Sequence, residues 1–133
     1  MGNVLTRFAC AAAVAAVLAA GCSSHTAAPA PTPPAGTPSQ VVDRVTHAIY
    51  DDRADDARAA FDDALKSQIQ DYQVRFLSQS MHGYGAYDGL KSVSADPDRA
   101  RYVYRAVFAH GKMQVEARFD GTGRLAAYRL IPG

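Results

Sequence analysis

The sequence predicts an α+β domain: two or three N-terminal helices packed on a curved, four-stranded antiparallel meander, in a cone-like arrangement. Three observations carry the prediction. Apolar residues recur at helical spacing between residues 41 and 81. From Leu90 onward the period changes to two, with Tyr and Val prominent. His110-Gly111 and Asp120-Gly121-Thr122-Gly123 are tight-turn sequences, so the last strands are joined as hairpins. Helices followed by strands, instead of alternating with them, indicate α+β and not a parallel βαβ sheet.

Each element follows in order. Ser39 after Pro38 is a candidate N-cap. Behind it Val41, Val42, Val45 and Ile49 mark a first helix to about Tyr50. The run Asp51-Asp52-Arg53 marks a turn. A second helix is expected over 54–68, with Ala57, Phe61, Ala64 and Leu65 buried and its acids mainly toward the N-terminal end, as the helix dipole favours. A third is expected over 68–81, continuous with the second or separate from it, burying Ile69, Tyr72, Phe76, Leu77 and Met81 and ended by Gly83 and Gly85. Strands are expected over 90–95, 101–109, 112–119 and 124–131. In the third, Met113, Val115, Ala117 and Phe119 face one way and Gln114, Glu116 and Arg118 the other.

Composition sets limits. The chain has 133 residues, enough for one domain, with 14 Lys and Arg against 13 Asp and Glu and a formal charge of +1. Non-specific nucleic-acid binding needs a strong basic excess, so no nucleic-acid partner is expected. The two cysteines, Cys10 and Cys22, both precede the domain. The domain therefore has neither a disulfide nor a thiolate metal ligand, and no cofactor is expected.

The N-terminus has its own pattern. Residues 1–7 carry Arg7 and no acid, and residues 8–20 are apolar. Thirteen apolar residues are too few to span a hydrocarbon core, which takes about 20. The pattern is that of a secretory signal. It ends in Leu18-Ala19-Ala20-Gly21-Cys22-Ser23, which resembles the lipobox of bacterial lipoproteins, although Ala19 stands where that family prefers Leu. The resemblance implies removal of residues 1–21 and diacylglycerol attached to Cys22. It thus implies a membrane partner through that lipid and a place in the cell envelope. Ser23, in place of Asp, implies the periplasmic face of the outer membrane if the organism has one. Residues 22–39 are rich in Pro and Ala, with five of the chain's seven prolines at 29, 31, 33, 34 and 38. They form an expected disordered tether, reaching up to roughly 50 Å at about 3.1 Å per residue. The domain is then 40–133.

A second resemblance rests on the helix sequence Ala59-Ala60-Phe61-Asp62-Asp63-Ala64-Leu65-Lys66 and on the closing hairpin, Phe119-Asp120-Gly121-Thr122-Gly123-Arg124 followed by Leu125-Ala126-Ala127-Tyr128-Arg129-Leu130. Together with the helices-then-meander order, this looks like the nuclear-transport-factor-2-like (cystatin-like) superfamily, in its uncharacterised bacterial branch. The resemblance implies helices on the concave side of a bent sheet, sometimes around a pocket. It implies no particular reaction.

No constellation of reactive residues stands out. In the cone picture Tyr84, Tyr87, Tyr102, Tyr104 and His82 are the nearest interior candidates. The meander supplies only Glu116 and Asp120 as acids, the first on the polar face and the second in a turn. His47, His82 and His110 lie in three elements without ligand spacing. Ser78 and Ser80 lack a nucleophile elbow.

Two features suit binding. His82-Gly83-Tyr84-Gly85-Ala86-Tyr87 places Tyr84 and Tyr87 on a Gly-rich loop, where tyrosines give contact area at little entropic cost. Charge is also uneven. From 43 to 66 there are seven acids and four bases; from 99 to 129, seven bases and two acids. Arg105 and Arg118 are expected on the polar face of adjacent strands, facing an envelope protein or an anionic polymer. The sequence therefore points to a lipid-anchored, non-enzymatic binding module. The alternative is a small-molecule binding or isomerising cone.

Overall fold

The computed structural model describes residues 34–133. The expected signal peptide 1–21, Cys22 and the tether up to residue 33 lie outside the described residues.

Helix α1 spans Pro38–Tyr50. Its cap is Thr37, not Ser39. The Thr37 hydroxyl accepts from the Gln40 amide at 3.3 Å, and the Gln40 side chain accepts from the Thr37 amide at 2.9 Å. This reciprocal box satisfies two amides that have no partner within the helix, and Pro38 occupies the first helical position, where a missing N–H costs nothing. Val41, Val42, Val45 and Ile49 are buried, as their spacing predicts, and Ala48 is buried with them. Each buried Val or Ile contributes roughly 1.5–3 kcal/mol.

The predicted second helix is two short ones, α2 (Ala54–Arg58) and α3 (Asp63–Gln68). The break has a tertiary cause. Phe61 forms a parallel bridge with Leu125, so that the Asp62 amide donates to the Leu125 carbonyl at 2.8 Å and the Leu125 amide to the Ala60 carbonyl at 2.9 Å. These bonds pull the backbone out of the helix and bury Phe61 completely. Asp62 then caps α3 by accepting from the Leu65 amide at 2.8 Å. Ala64, expected in the core, is exposed.

Helix α4 spans Asp71–His82. Its buried stripe is Val74, Ser78 and Met81. Tyr72 and Phe76, expected inside, are 71% and 68% exposed. The phase is set by Ser78, whose hydroxyl donates to the Tyr50 carbonyl at 2.8 Å and ties the end of α1 to α4. A polar residue with a backbone partner takes the core position, and the larger apolar neighbours turn outward.

The strands are β1 (Tyr87–Asp96), β2 (Arg101–Phe108), β3 (Gly111–Phe119) and β4 (Leu125–Pro132). They form one sheet in the order β1-β2-β3-β4, with every neighbouring pair antiparallel. The architecture of the described residues is α+β, four α-helices and a four-stranded meander. One sheet face is covered: Tyr104, Ala106 and Phe108 of β2, Met113, Val115, Ala117 and Phe119 of β3 and Tyr128 of β4 are buried in one core with the helix residues. Thr46 of α1 joins this core, its hydroxyl 2.8 Å from that of Tyr128 and donating to the Val42 carbonyl at 2.7 Å. The turn between β3 and β4 is held by Asp120, whose carboxylate accepts from the Thr122 amide at 2.8 Å, the Thr122 hydroxyl at 2.7 Å and the Arg124 amide at 3.0 Å. The same bonds hold its pKa below the usual carboxylate range, the Thr122 bond most of all.

Candidate functional site

Strand side chains alternate between faces, so the residues between the buried ones point away from the helices. The strand register arranges them in rows. Arg101 stands directly opposite Arg118, with Asp96 on its other side and Ala127 beyond Arg118. The next row is Ser94, Val103, Glu116 and Arg129. The third is Lys91, Arg105, Gln114 and Ile131. Lys112 follows, opposite Val107.

Lys91, Arg101, Arg105, Lys112, Arg118 and Arg129 are all exposed. The acids of these rows are already engaged. Glu116 lies 3.6 Å from the Arg129 guanidinium and accepts from Gln114 at 2.9 Å, while Asp96 pairs with Arg99 at 3.8 Å. Among the described residues, Lys91, Arg101, Arg105, Lys112 and Arg118 have no acid within 4.0 Å. A shallow depression lies on this face, lined by Arg101, Val103, Glu116, Arg118, Ala127 and Arg129.

Compared with protein-family models, curated proteins and solved structures, the chain has no significant match.

Arg105 and Arg118 both lie on the outer sheet face, on adjacent strands. They are not direct neighbours: Arg118 pairs with Arg101, four residues from Arg105. Lys91 and Lys112 belong to the same face. Arg124 does not, being buried in the turn just before β4.

Tyr84 and Tyr87 are built into the end of the core. The Tyr87 hydroxyl donates to Asp43 at 2.7 Å, and its ring sits 5.6 Å from Phe108 and 5.7 Å from His47. Burial, together with this bond to Asp43, pushes the phenol pKa well above its ordinary value. Tyr84 lies 5.9 Å from Phe108 and covers Gly111, where a Cβ would meet its ring at 2.5 Å. Gly85 between them has φ +90°, and its carbonyl accepts from the Tyr50 hydroxyl at 3.2 Å. Tyr50 in turn stacks on His82 at 4.0 Å. Both tyrosines are partly exposed, and Tyr87 faces the side of the sheet opposite the arginines. The four candidate residues thus do not form one site.

Three of the other polar groups weighed from sequence have local partners. His82 Nδ1 is 2.8 Å from the Ser78 carbonyl, and His47 is 3.5 Å from Asp51. The Ser80 hydroxyl donates to the Phe76 carbonyl at 2.9 Å. Among the described residues, no group of three His, Cys, Asp or Glu could hold a metal ion, and no helix is long and apolar enough to cross a membrane.

Proposed function

We propose that the chain is a lipid-anchored envelope protein whose domain is a non-enzymatic binding module, presenting the outer sheet face to an anionic partner. One observation carries the reading: among the described residues, five cations on that face have no acid within 4.0 Å, while the two acids in their rows, Glu116 and Asp96, are paired with Arg129 and Arg99. The space between helices and sheet is filled by Phe61, Ile49, Met81, Leu125 and Tyr104, all at most 2% exposed. That filling favours binding at the surface over binding inside a cone. The meander order and closing hairpin support assignment to the nuclear-transport-factor-2-like superfamily.

The anchor supplies the membrane partner. Two or three acyl chains on Cys22, at about 0.8 kcal/mol per buried methylene, would hold the chain stably, whereas a single chain is marginal. The Pro-rich stretch then spaces the domain from the bilayer, at the periplasmic face of the outer membrane if the organism has one.

Two experiments test the two halves. Cys22→Ala should abolish lipid labelling and move the chain out of the membrane fraction. Unchanged processing and partitioning would refute the anchor. Arg105→Glu with Arg118→Glu should release the chain from its envelope partner in pulldowns and wall fractions. Retention of every partner would refute the sheet surface.

A further inference from the structure

We propose that the outer sheet face is a two-clamp site for a linear, phosphate-bearing polyanion, an inference that rests on the anion-binding reading above. The first clamp is Arg101 and Arg118, directly opposed on β2 and β3. The second is Lys91 and Arg105, directly opposed on β1 and β2. Like charges facing each other across a strand pair repel, and both pairs here do so without an acid within 4.0 Å among the described residues. An oxyanion between the two side chains of a pair converts that repulsion into attraction to a shared ligand.

The spacing argues for a chain over a small ion. Arg101 and Arg105 are four residues apart on one strand, which is about 13 Å at roughly 3.3 Å per residue. No single phosphate reaches both clamps. The row between them is unsuited to an anion: it holds Val103, and its Glu116 carboxylate is turned toward Arg129 at 3.6 Å. A flexible chain can seat one anionic group in each clamp and pass a linking segment over Val103. Arginine supplies three of the four clamp side chains, and its planar fork pairs with phosphate oxygens two at a time.

The test uses the full chain and four probes: inorganic polyphosphate, orthophosphate, polyglutamate and phosphatidylglycerol vesicles. Affinities are read by calorimetry or anisotropy. Polyphosphate should bind at least about 10²-fold tighter than orthophosphate, the gain expected when a second contact becomes intramolecular. Arg101→Gln with Arg118→Gln, and separately Lys91→Gln with Arg105→Gln, should each reduce polyphosphate binding to the orthophosphate level. All four side chains are exposed, and an unchanged circular-dichroism spectrum shows that the variants fold.

Equal affinity for polyphosphate and orthophosphate, or indifference to either pair of substitutions, overturns the two clamps and leaves the anion-binding face standing. Polyglutamate binding as tightly as polyphosphate overturns the phosphate assignment. Vesicle binding that both pairs of substitutions abolish, without polyphosphate binding, overturns the proposal in favour of the bilayer surface. No binding to any probe overturns this inference and the anion-binding reading together.

Discussion

Arg101 and Arg118 stand directly opposite each other on neighbouring strands, and among the described residues neither has an acid within 4.0 Å. Such a pair works against folding and in favour of a ligand. Arg118, which has Arg101 on one side and Ala127 on the other, is the cleaner probe: Arg118→Gln should leave stability unchanged or raise it by about 0.2–1 kcal/mol, the range for cross-strand pairs. Urea denaturation checks this. A loss above about 1 kcal/mol would show that Arg118 supports the fold.

Thr46 and Tyr128 give an asymmetric prediction. Thr46 already donates to the Val42 carbonyl, so the Tyr128 hydroxyl is the donor between the two. Tyr128→Phe removes one hydrogen bond and leaves Thr46 with its backbone partner, at a cost of about 1 kcal/mol. Thr46→Val strands a hydroxyl on a buried tyrosine, at a cost nearer 2–3 kcal/mol. Denaturation midpoints of the two variants should fall in that order.

Burial raises the phenol pKa of Tyr128, and it raises that of Tyr104 as well. Tyr87 shifts the same way through burial and Asp43. The folded state thus holds these protons more tightly than the unfolded state. Their contribution is fully present below the unfolded value, near 10, and declines as pH rises above it. Stability measured by denaturant should fall steeply above about pH 10, and Tyr128→Phe should flatten the slope. An unchanged slope in that variant would contradict the burial argument.

Phe61 joins the two halves of the domain, packing in the core while its neighbours hydrogen-bond to Leu125. Phe61→Ala should cost about 3–5 kcal/mol. Amide exchange should also accelerate at Asp62 and Leu125, whose bonds depend on that bridge. A small loss would mean that the bridge is not what separates α2 from α3.

Strong local signals made much of this legible in the sequence. The α1 stripe, the alternation in β3 and the Asp120 turn are set by neighbours close in the chain, so spacing alone locates them. The break at Phe61 was not legible because it depends on Leu125, 64 residues away. Asp62 as the cap of α3 was the signal that could have suggested it. The outward turn of Tyr72 and Phe76 is not legible from spacing because the phase of α4 is set by the bond from Ser78 to the Tyr50 carbonyl. The basic face was legible in Arg105 and Arg118, but the pairing of Arg101 with Arg118 and the membership of Lys91 required the register.

The central claim is that the outer sheet face binds an anionic partner. Backbone amide shifts of the isotope-labelled chain, followed during titration with polyphosphate, test it most directly. The account predicts shifts concentrated on β1, β2 and β3 around Lys91, Arg101, Arg105 and Arg118, weakening as salt is added. Shifts confined to α1 and α4, or centred on Tyr84 and Tyr87, would contradict it.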